Sequence, residues 1–183
     1  PGIVKDLTDY SNEGGWYDGD KVRFRLGFPE SIGGWQPYTD SVFLGTCRQV
    51  HQWVALDGTA YTALGTNLKL YILYSGDYYD ITPIRRTVTL GVNPFTTQSV
   101  SNGKLTVTDV ANGSMMNDFV TFSGATAFDN YTTGMLNAEH QIIEIISADT
   151  YTIEIAGVTS AGVGVSGGGA AVVGAYQMNT GPD

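Results

Sequence analysis

The chain has 183 residues, of which 24 are glycine, 11 are tyrosine and only 15% are charged, a composition that favours strands and turns over helices. Its net charge of −9 lies mainly in the second half, where Lys104 is the only lysine or arginine after Leu90, so this half lacks the cations that bind nucleic acid or anionic membranes. No apolar run reaches the ~18 residues of a membrane-spanning helix, and the one cysteine, Cys47, excludes an internal disulfide.

The first strand is predicted over residues 21–26, where cationic and apolar residues alternate strictly. Because successive side chains of a strand point to opposite faces, Lys21, Arg23 and Arg25 share one face. Two interpretations stay open for that face: it is the solvated side of a half-buried strand, or it is a cationic rib turned towards a partner subunit or a lumen. We take these three cations as the candidate subunit or lumen contacts.

Residues 53–83 predict a four-stranded antiparallel meander. Short apolar and aromatic segments end at three turn sequences, which are Asp57-Gly58, Gly65-Thr66-Asn67 and Ser75-Gly76-Asp77. Asp-Gly between alternating strands is a strong hairpin signal, because the primed turns need positive φ at both central residues. A sheet of this kind is the unit of a β-propeller blade, and a blade buries its faces against neighbouring blades. We therefore expect this sheet to need a partner surface.

The tyrosines of the meander have two interpretations as well. Tyr71, Tyr74, Tyr78 and Tyr79 form either a platform that stacks on sugars or the filling of a gap between blades or subunits. The second use is the more frequent one for aromatic residues of this kind.

A turn at Asn93-Pro94-Phe95 predicts a module boundary. Short alternating strands recur after it and predict a small antiparallel sandwich or barrel of about 80 residues. The chain then has three predicted parts: residues 1–92 hold platform strands and the propeller-blade-like meander, residues 93–175 hold an inserted small β-domain, and residues 176–183 hold a strand returning towards the platform.

Residues 162–174 contain only glycine, alanine and valine apart from Ser166. We predict that this segment is mobile in the free chain, with fast amide exchange, because glycine and alanine supply little side-chain surface to hold it. The composition also fits a strand edge where the lack of side chains lets a neighbouring backbone approach.

Motifs for catalysis, metals and phosphates are absent from the sequence. His51 and His140 lack the spacing of a metallohydrolase, residues 167–169 open no phosphate-binding loop, and no nucleophile elbow is present. We therefore predict that the protein is not an enzyme and has no cofactor or metal site. Paired carboxylates for a hydrolase would have to be sought among Asp109, Asp118, Glu139 and Glu144.

Three segments, read in order, resemble the tail nozzle (tail tubular protein B-like) proteins of short-tailed bacteriophages. Residues 10–18, 21–24 and 29–35 are similar to the N-terminal platform signature of that family. Residues 63–71 and 79–83 are similar to its first propeller blade. Residues 119–125, 151–153 and 167–169 are similar to the small β-domain inserted after that blade.

The resemblance implies a virion structural protein of the phage tail that is assembled in the host cytoplasm. It implies a homo-oligomer, a six-fold ring below the portal and adaptor, which contacts other tail proteins and forms the wall of the DNA-exit channel. DNA would pass at most transiently, and no membrane insertion is implied. Relatives hold further blades, whereas this sequence holds one blade and one insertion.

The expected fold class is accordingly all-β, with a partial β-propeller or platform of one antiparallel four-stranded blade and an inserted small antiparallel β-sandwich or barrel. The alternative function is a carbohydrate-binding adhesin or tail-fibre module that uses the tyrosine cluster.

Overall fold

Alternating side chains and frequent glycine turns divide the described residues into fourteen short strands and one helical turn. The computed structural model describes residues 3, 6, 10–11, 14–16, 18–34 and 36–180, and within them the expected all-β fold class is confirmed. Asn12, Glu13, Tyr17 and Trp35 of the platform motif, and residues 181–183 of the last predicted part, lie outside the described residues. No helix of the described part has the length and apolar character needed to cross a membrane.

The chain divides into two compact units, Pro1–Asp40 and Ser41–Asp183. The first unit contains a hairpin of β1 (Val22–Arg25) and β2 (Phe28–Ser31). Its two-residue turn has positive φ at both Leu26 (50°) and Gly27 (88°), as a primed turn requires. The predicted strand over residues 21–26 is therefore two residues shorter, because both of its end residues adopt left-handed conformations.

The second unit begins with the predicted four-stranded meander. Its strands are β3 (Cys47–Val54), β4 (Ala60–Thr66), β5 (Leu70–Tyr74) and β6 (Asp77–Asp80), paired in chain order and all antiparallel. The sheet starts six residues before the predicted stretch.

The primed turn of this sheet lies at Ser75-Gly76, where φ is 53° and 92°. At the Asp57-Gly58 sequence only the glycine has positive φ (84°), within a five-residue connection. There the Asp57 carboxylate accepts a hydrogen bond from the Thr59 N–H (2.9 Å), which closes a wider turn. The expected hairpin is therefore present, but its turn is not of the primed type.

Eight further strands form one open antiparallel sheet in the order β13-β8-β9-β12-β11-β10-β14-β7, with a single helical turn, α1 (Thr133–Leu136), between β10 and β11. The strands are β7 (Ile84–Thr89), β8 (Phe95–Thr97), β9 (Lys104–Thr108), β10 (Phe119–Ser123), β11 (Glu139–Ser147), β12 (Thr150–Glu154), β13 (Ser166–Gly167) and β14 (Val173–Gln177).

This sheet folds over on itself and encloses the core between its two halves. The Phe95 ring of β8 packs edge-on against Phe122 of β10, with centroids 5.1 Å apart. The hydroxyls of Tyr151 and Tyr176 share a hydrogen bond of 2.8 Å across the core, and burial raises the pKa of both phenols. The register shifts on β11 lie where the two halves meet. The largest fully buried side chains are those of Phe95, Leu105, Val107, Val120, Phe122, Tyr131, Leu136, Ile142, Tyr151, Ile153, Val172 and Tyr176.

Strand β7 lies before the predicted boundary at residue 92 and pairs with β14, which spans the predicted boundary at residue 175. The Leu90 N–H extends this pairing by donating to the Val172 carbonyl (2.8 Å). The division into residues 1–92, 93–175 and 176–183 stays a prediction, and this pairing identifies the strands that a test of it has to include.

The glycine-rich segment contains the edge strand β13 of the eight-stranded sheet and ends in β14, which lies between β10 and β7. β13 pairs with β8, and the Gly164 N–H and Val165 carbonyl bond to the backbone of Thr97. Gly167 lies so close to Phe128 that a β-carbon there would be 2.1 Å from the ring. The strand-edge interpretation therefore describes Ser166 and Gly167, and the missing side chain of Gly167 makes room for the Phe128 ring. The mobility of residues 162–174 in the free chain stays a prediction.

Candidate functional site

Four aromatic side chains form a continuous stacked row on one face of the four-stranded sheet. His51 and Trp53 lie on β3, Tyr61 on β4 and Tyr74 on β5. Successive ring centroids are 5.9, 5.5 and 5.2 Å apart, and successive planes differ by only 22°, 22° and 29°. We call these four residues the aromatic row.

Strand register explains the row. Trp53 lies directly opposite Tyr61, and the pairing of Thr62 with Leu73 places Tyr61 opposite Tyr74. Directly opposed side chains share a face, as do residues two apart on one strand. Alternating aromatic residues at matched positions are therefore enough to line up four rings across three strands.

The two faces of this sheet differ in what covers them. On one face, the Phe43 ring packs against Tyr71 and Tyr78, with centroids 6.2 and 5.2 Å apart, and the Leu44 N–H donates to the Tyr71 hydroxyl (3.1 Å). On the other face the aromatic row is open, with Trp53 37% and Tyr74 42% exposed. Among the described residues, the Tyr71 face is thus covered over its β4–β6 part, while Val50 and Val54 on β3 are exposed there.

The predicted tyrosine platform is split between these faces. Tyr71 and Tyr78 belong to the covered face, where their rings contact each other and Phe43. Tyr79 lies opposite Ile72, two residues from Tyr74, and so shares the open face with Tyr74. The four tyrosines do not form one platform, because neighbours in a strand point to opposite sides.

Sequence reasoning missed Trp53 and Tyr61, although a signal for them exists. Both lie four positions from Asp57, one on each side of the hairpin, so a symmetric hairpin brings them face to face. Once Tyr61 is placed, the alternation of side chains between the two faces of a strand predicts that a residue of β5 continues the row.

The stacking of the row decides what it can contact. Near-parallel rings whose centroids are 5.2–5.9 Å apart are offset from one another, so both ring edges and parts of ring faces remain for an incoming surface. A sugar-binding platform needs ring faces that are turned outward, whereas a facing sheet or loop can insert side chains between ring edges. A groove of about 250 Å³ also borders the hairpin end of β3 and β4, at residues 52–54 and 60–62. The row is therefore an exposed aromatic surface against which another protein surface can pack.

A buried lysine fixes the four-stranded sheet to the eight-stranded sheet. The Lys69 ammonium lies 2.6 Å from Asp80, 2.5 Å from Glu139 on β11 and 4.5 Å from the centre of the Phe119 ring. Burial alone would lower the pKa of Lys69, but hydrogen bonds to both carboxylates outweigh it and raise that pKa. Burial alone would raise the pKa of Asp80. The hydrogen bonds from Lys69 and Thr82 outweigh burial and lower that pKa. The two sheets are thereby joined by a charged and hydrogen-bonded contact.

The carboxylates singled out as possible catalytic partners have structural contacts. Asp109 binds the Arg86 guanidinium in a bidentate pair (2.7 and 3.0 Å). Asp118 accepts from the Met115 N–H and lies 3.5 Å from the Arg85 guanidinium, and Glu139 binds Lys69. These three are engaged in holding strands and loops together, and Glu144 lies on β11 as an exposed residue.

The three predicted contact cations lie on or beside the first hairpin. All three are exposed, and Lys21 precedes β1 rather than belonging to it. Arg23 forms an exposed ion pair with Glu30, directly opposite it on β2 (3.1 Å). Exposed pairs of this kind contribute about 0–1 kcal/mol, so they do not bind the side chain tightly. Their role as subunit or lumen contacts stays a prediction.

Among the described residues, no group of three His, Cys, Asp or Glu side chains is placed to hold a metal ion. His51 belongs to the aromatic row, and His140 is buried, with its Nε2 3.3 Å from the Leu136 carbonyl. The predicted lack of catalysis, cofactor and metal stays a prediction.

No family model matches the chain, and no curated protein matches it. Among solved structures it is similar to one described as "Phage phi92 endosialidase", with a TM-score of 0.38 and 18% identity over 85% of this chain. The chain spans 22% of the length of that protein. A similarity at this level carries no statement about activity or partners.

Proposed function

We propose that this chain is a structural component of a phage tail, a nozzle-type protein whose subunits associate into a ring that lines the DNA-exit channel. The aromatic row carries the proposal, because it is an open aromatic face on a sheet whose other face is covered in part by Phe43. The resemblance of residues 63–71 and 79–83 to the first blade of tail nozzle proteins supplies the setting.

The row gives a physical reason for association. Each aromatic side chain can bury about 150–250 Å². At about 25 cal/mol per Å², covering a few hundred Å² of the face stabilises a contact by several kcal/mol. Association itself costs about 4–15 kcal/mol, so one such contact is weak. A closed ring, in which every subunit makes two contacts, overcomes that cost more readily than a dimer.

The charge distribution fits a wall past which DNA moves. Lys104 is the only lysine or arginine after Leu90, and eight carboxylate residues accompany it there. Such a surface repels phosphates and discourages adhesion. A channel wall benefits from this property, whereas a nucleic-acid-binding module would require the opposite.

The carbohydrate-binding alternative would use the same exposed rings as a stacking surface. It is retained as an outcome of the experiment rather than as a second proposal.

The experiment measures association of the wild-type chain by sedimentation across micromolar concentrations, with negative-stain imaging of the largest species. We expect concentration-dependent association and ring-shaped particles for the wild type, and loss of both in the double variant Trp53→Ser and Tyr61→Ser. Tyr38→Ser, which removes an exposed aromatic residue outside the row, is the matched control. A wild-type chain that stays monomeric, or that binds glycans through Trp53, contradicts the proposal.

A further inference from the structure

Two asparagines of this chain are each followed by glycine, at Asn102-Gly103 and Asn112-Gly113. An asparagine can lose its side-chain amide when the next backbone nitrogen attacks its Cγ and closes a five-membered ring. Glycine is the following residue that hinders this attack least, because it carries no β-carbon. The two sites have the same sequence signal, so a large difference in their reactivity has to come from the fold.

Both side chains are held close to the nitrogen that would attack them. The Asn102 Oδ1 accepts a hydrogen bond from the Lys104 N–H (3.2 Å), and the Asn112 Oδ1 accepts one from the Ser114 N–H (2.8 Å). A bond from the side-chain oxygen to the second residue along the chain brings Cγ near the backbone nitrogen between them. The donating N–H also faces the oxygen on which negative charge develops during the attack, as a donor of an oxyanion hole does.

The two sites differ in what surrounds the amide nitrogen that would leave. Asn112 is 2% exposed, and its amide nitrogen donates to the Asp109 carbonyl (3.2 Å) and the Ala148 carbonyl (2.8 Å). Asn102 is exposed, and no acceptor in the described part of the chain binds its amide nitrogen. Loss of ammonia from Asn112 therefore breaks two hydrogen bonds in a place that water does not reach, whereas at Asn102 it breaks only contacts with solvent.

We propose that Asn102 is a site of spontaneous deamidation in the folded chain and that the fold protects Asn112. The Gly103 nitrogen forms a bond to the Asn102 Cγ, and the bond from Cγ to the amide nitrogen breaks. The proton of the Gly103 N–H passes through water to the departing nitrogen, which leaves as ammonia, and a succinimide remains. Water then opens this ring at one of its two carbonyls and yields either aspartate or isoaspartate. Water is the only co-reactant, and no electrons are transferred.

Gly103 decides which product the fold accepts. Its φ is 65°, and a β-carbon there would lie 2.0 Å from the Ile155 carbonyl oxygen. The Gly103 carbonyl also accepts a hydrogen bond from the Ile155 N–H (3.0 Å). Isoaspartate lengthens the main chain by one carbon immediately before this tight contact, so it loosens the hairpin of β8 and β9. Aspartate keeps the main chain unchanged and still accepts from the Lys104 N–H.

The test follows both asparagines of the wild-type chain by peptide mass mapping during incubation at mildly alkaline pH. The mass change from amide to acid marks each conversion, and chromatography separates aspartate from isoaspartate. We expect Asn102 to convert at least about tenfold faster than Asn112 in the folded chain, because conversion of Asn112 requires local opening. In concentrated urea we expect the two rates to agree within about threefold, since only the shared sequence signal remains.

Variants at residue 102 separate the reaction from its consequence. Asn102→Gln keeps an amide but would have to close a larger ring, so conversion at this position should be lost while Asn112 stays unchanged. Asn102→Asp is the aspartyl product itself and should melt at the wild-type temperature, whereas chains that carry isoaspartate should melt lower.

Three results overturn the inference. Equal rates of the two asparagines in the folded chain would show that the fold makes no distinction between them. An Asn112 that stays about tenfold slower in urea would assign the difference to sequence rather than to burial. Conversion of Asn102 in urea but not in the folded chain would show that the loop before β9 prevents the attack.

Discussion

At the scale of single residues, Lys69 combines features that sequence rarely reveals. Its side chain is 4% exposed, yet it keeps its charge because two carboxylates and an aromatic ring surround the ammonium. Asp80 comes from the same sheet, but Glu139 lies 70 positions away. Nothing in the local sequence distinguishes Lys69 from a solvated turn residue, since its main partner belongs to another sheet.

Replacing Lys69 by methionine keeps most of the side-chain volume but leaves two carboxylates facing each other without a cation. Both carboxylates are about one-third exposed, so we expect a loss of about 2–3 kcal/mol in the free energy of unfolding rather than the largest values seen for buried pairs. Urea denaturation measures it, with Lys104→Met as control. A loss no greater than that of the control would show that the bridge adds nothing.

His140 predicts a pH dependence. Burial lowers its pKa, partly opposed by the Leu136 carbonyl, so the fold prefers the neutral ring. As the pH falls below about 6.5, the unfolded chain takes up the proton first, and stability is lost until the folded ring also titrates. We expect His140→Gln to lose less stability than the wild type between pH 7.5 and pH 5.5, as measured by denaturation at both pH values. Equal slopes would contradict this assignment.

At the scale of elements, turn chemistry predicts the four-stranded meander well. The Asp57-Gly58 and Ser75-Gly76 sequences both mark real hairpins, although only the second forms a primed turn. The sequence equally predicts that Tyr71 and its neighbours in β5 point to opposite faces of the sheet. What the pattern does not reveal is which face becomes covered, because that depends on Phe43 reaching back over the sheet.

The glycine-rich edge yields a direct steric prediction. A β-carbon at Gly167 would lie 2.1 Å from the Phe128 ring, whereas one at Gly91 would meet no atom within 4 Å. We expect Gly167→Ala to destabilise the protein by about 1–3 kcal/mol and Gly91→Ala to change it little, as measured by thermal unfolding. Similar melting temperatures for the two variants would show that Phe128 moves aside without cost.

At the scale of the whole molecule, the pairing of β7 with β14 is the feature that sequence reasoning did not foresee. The sequence predicts that β7 belongs to the platform part and that β14 lies at a boundary, because the turn at Asn93-Pro94 indicates the end of a module. The structure places Asn93 in hydrogen-bond contact with Gly169, 76 positions away. Contacts at that separation leave no periodic trace in the sequence, and so strand identity could be predicted but strand order could not.

A comparison of two fragments tests how far this sheet folds by itself. Residues 84–180 retain β7 and all of β14, whereas residues 93–175 lose β7 and the fully buried Tyr176. We expect the longer fragment to melt cooperatively, and the shorter one to melt more than about 10 °C lower or without a transition. Equal melting temperatures would instead support the boundaries at 92 and 175.

The Lys69 bridge has a consequence for the order of events during synthesis. The meander consists of neighbouring strands joined by short turns, so its contacts form quickly and locally as the chain leaves the ribosome. Glu139 is made 70 residues after Lys69, and β14 follows later still. During that interval Lys69 has Asp80 as a partner but not Glu139, so the bridge between the two sheets closes only after β7 to β10 have been made.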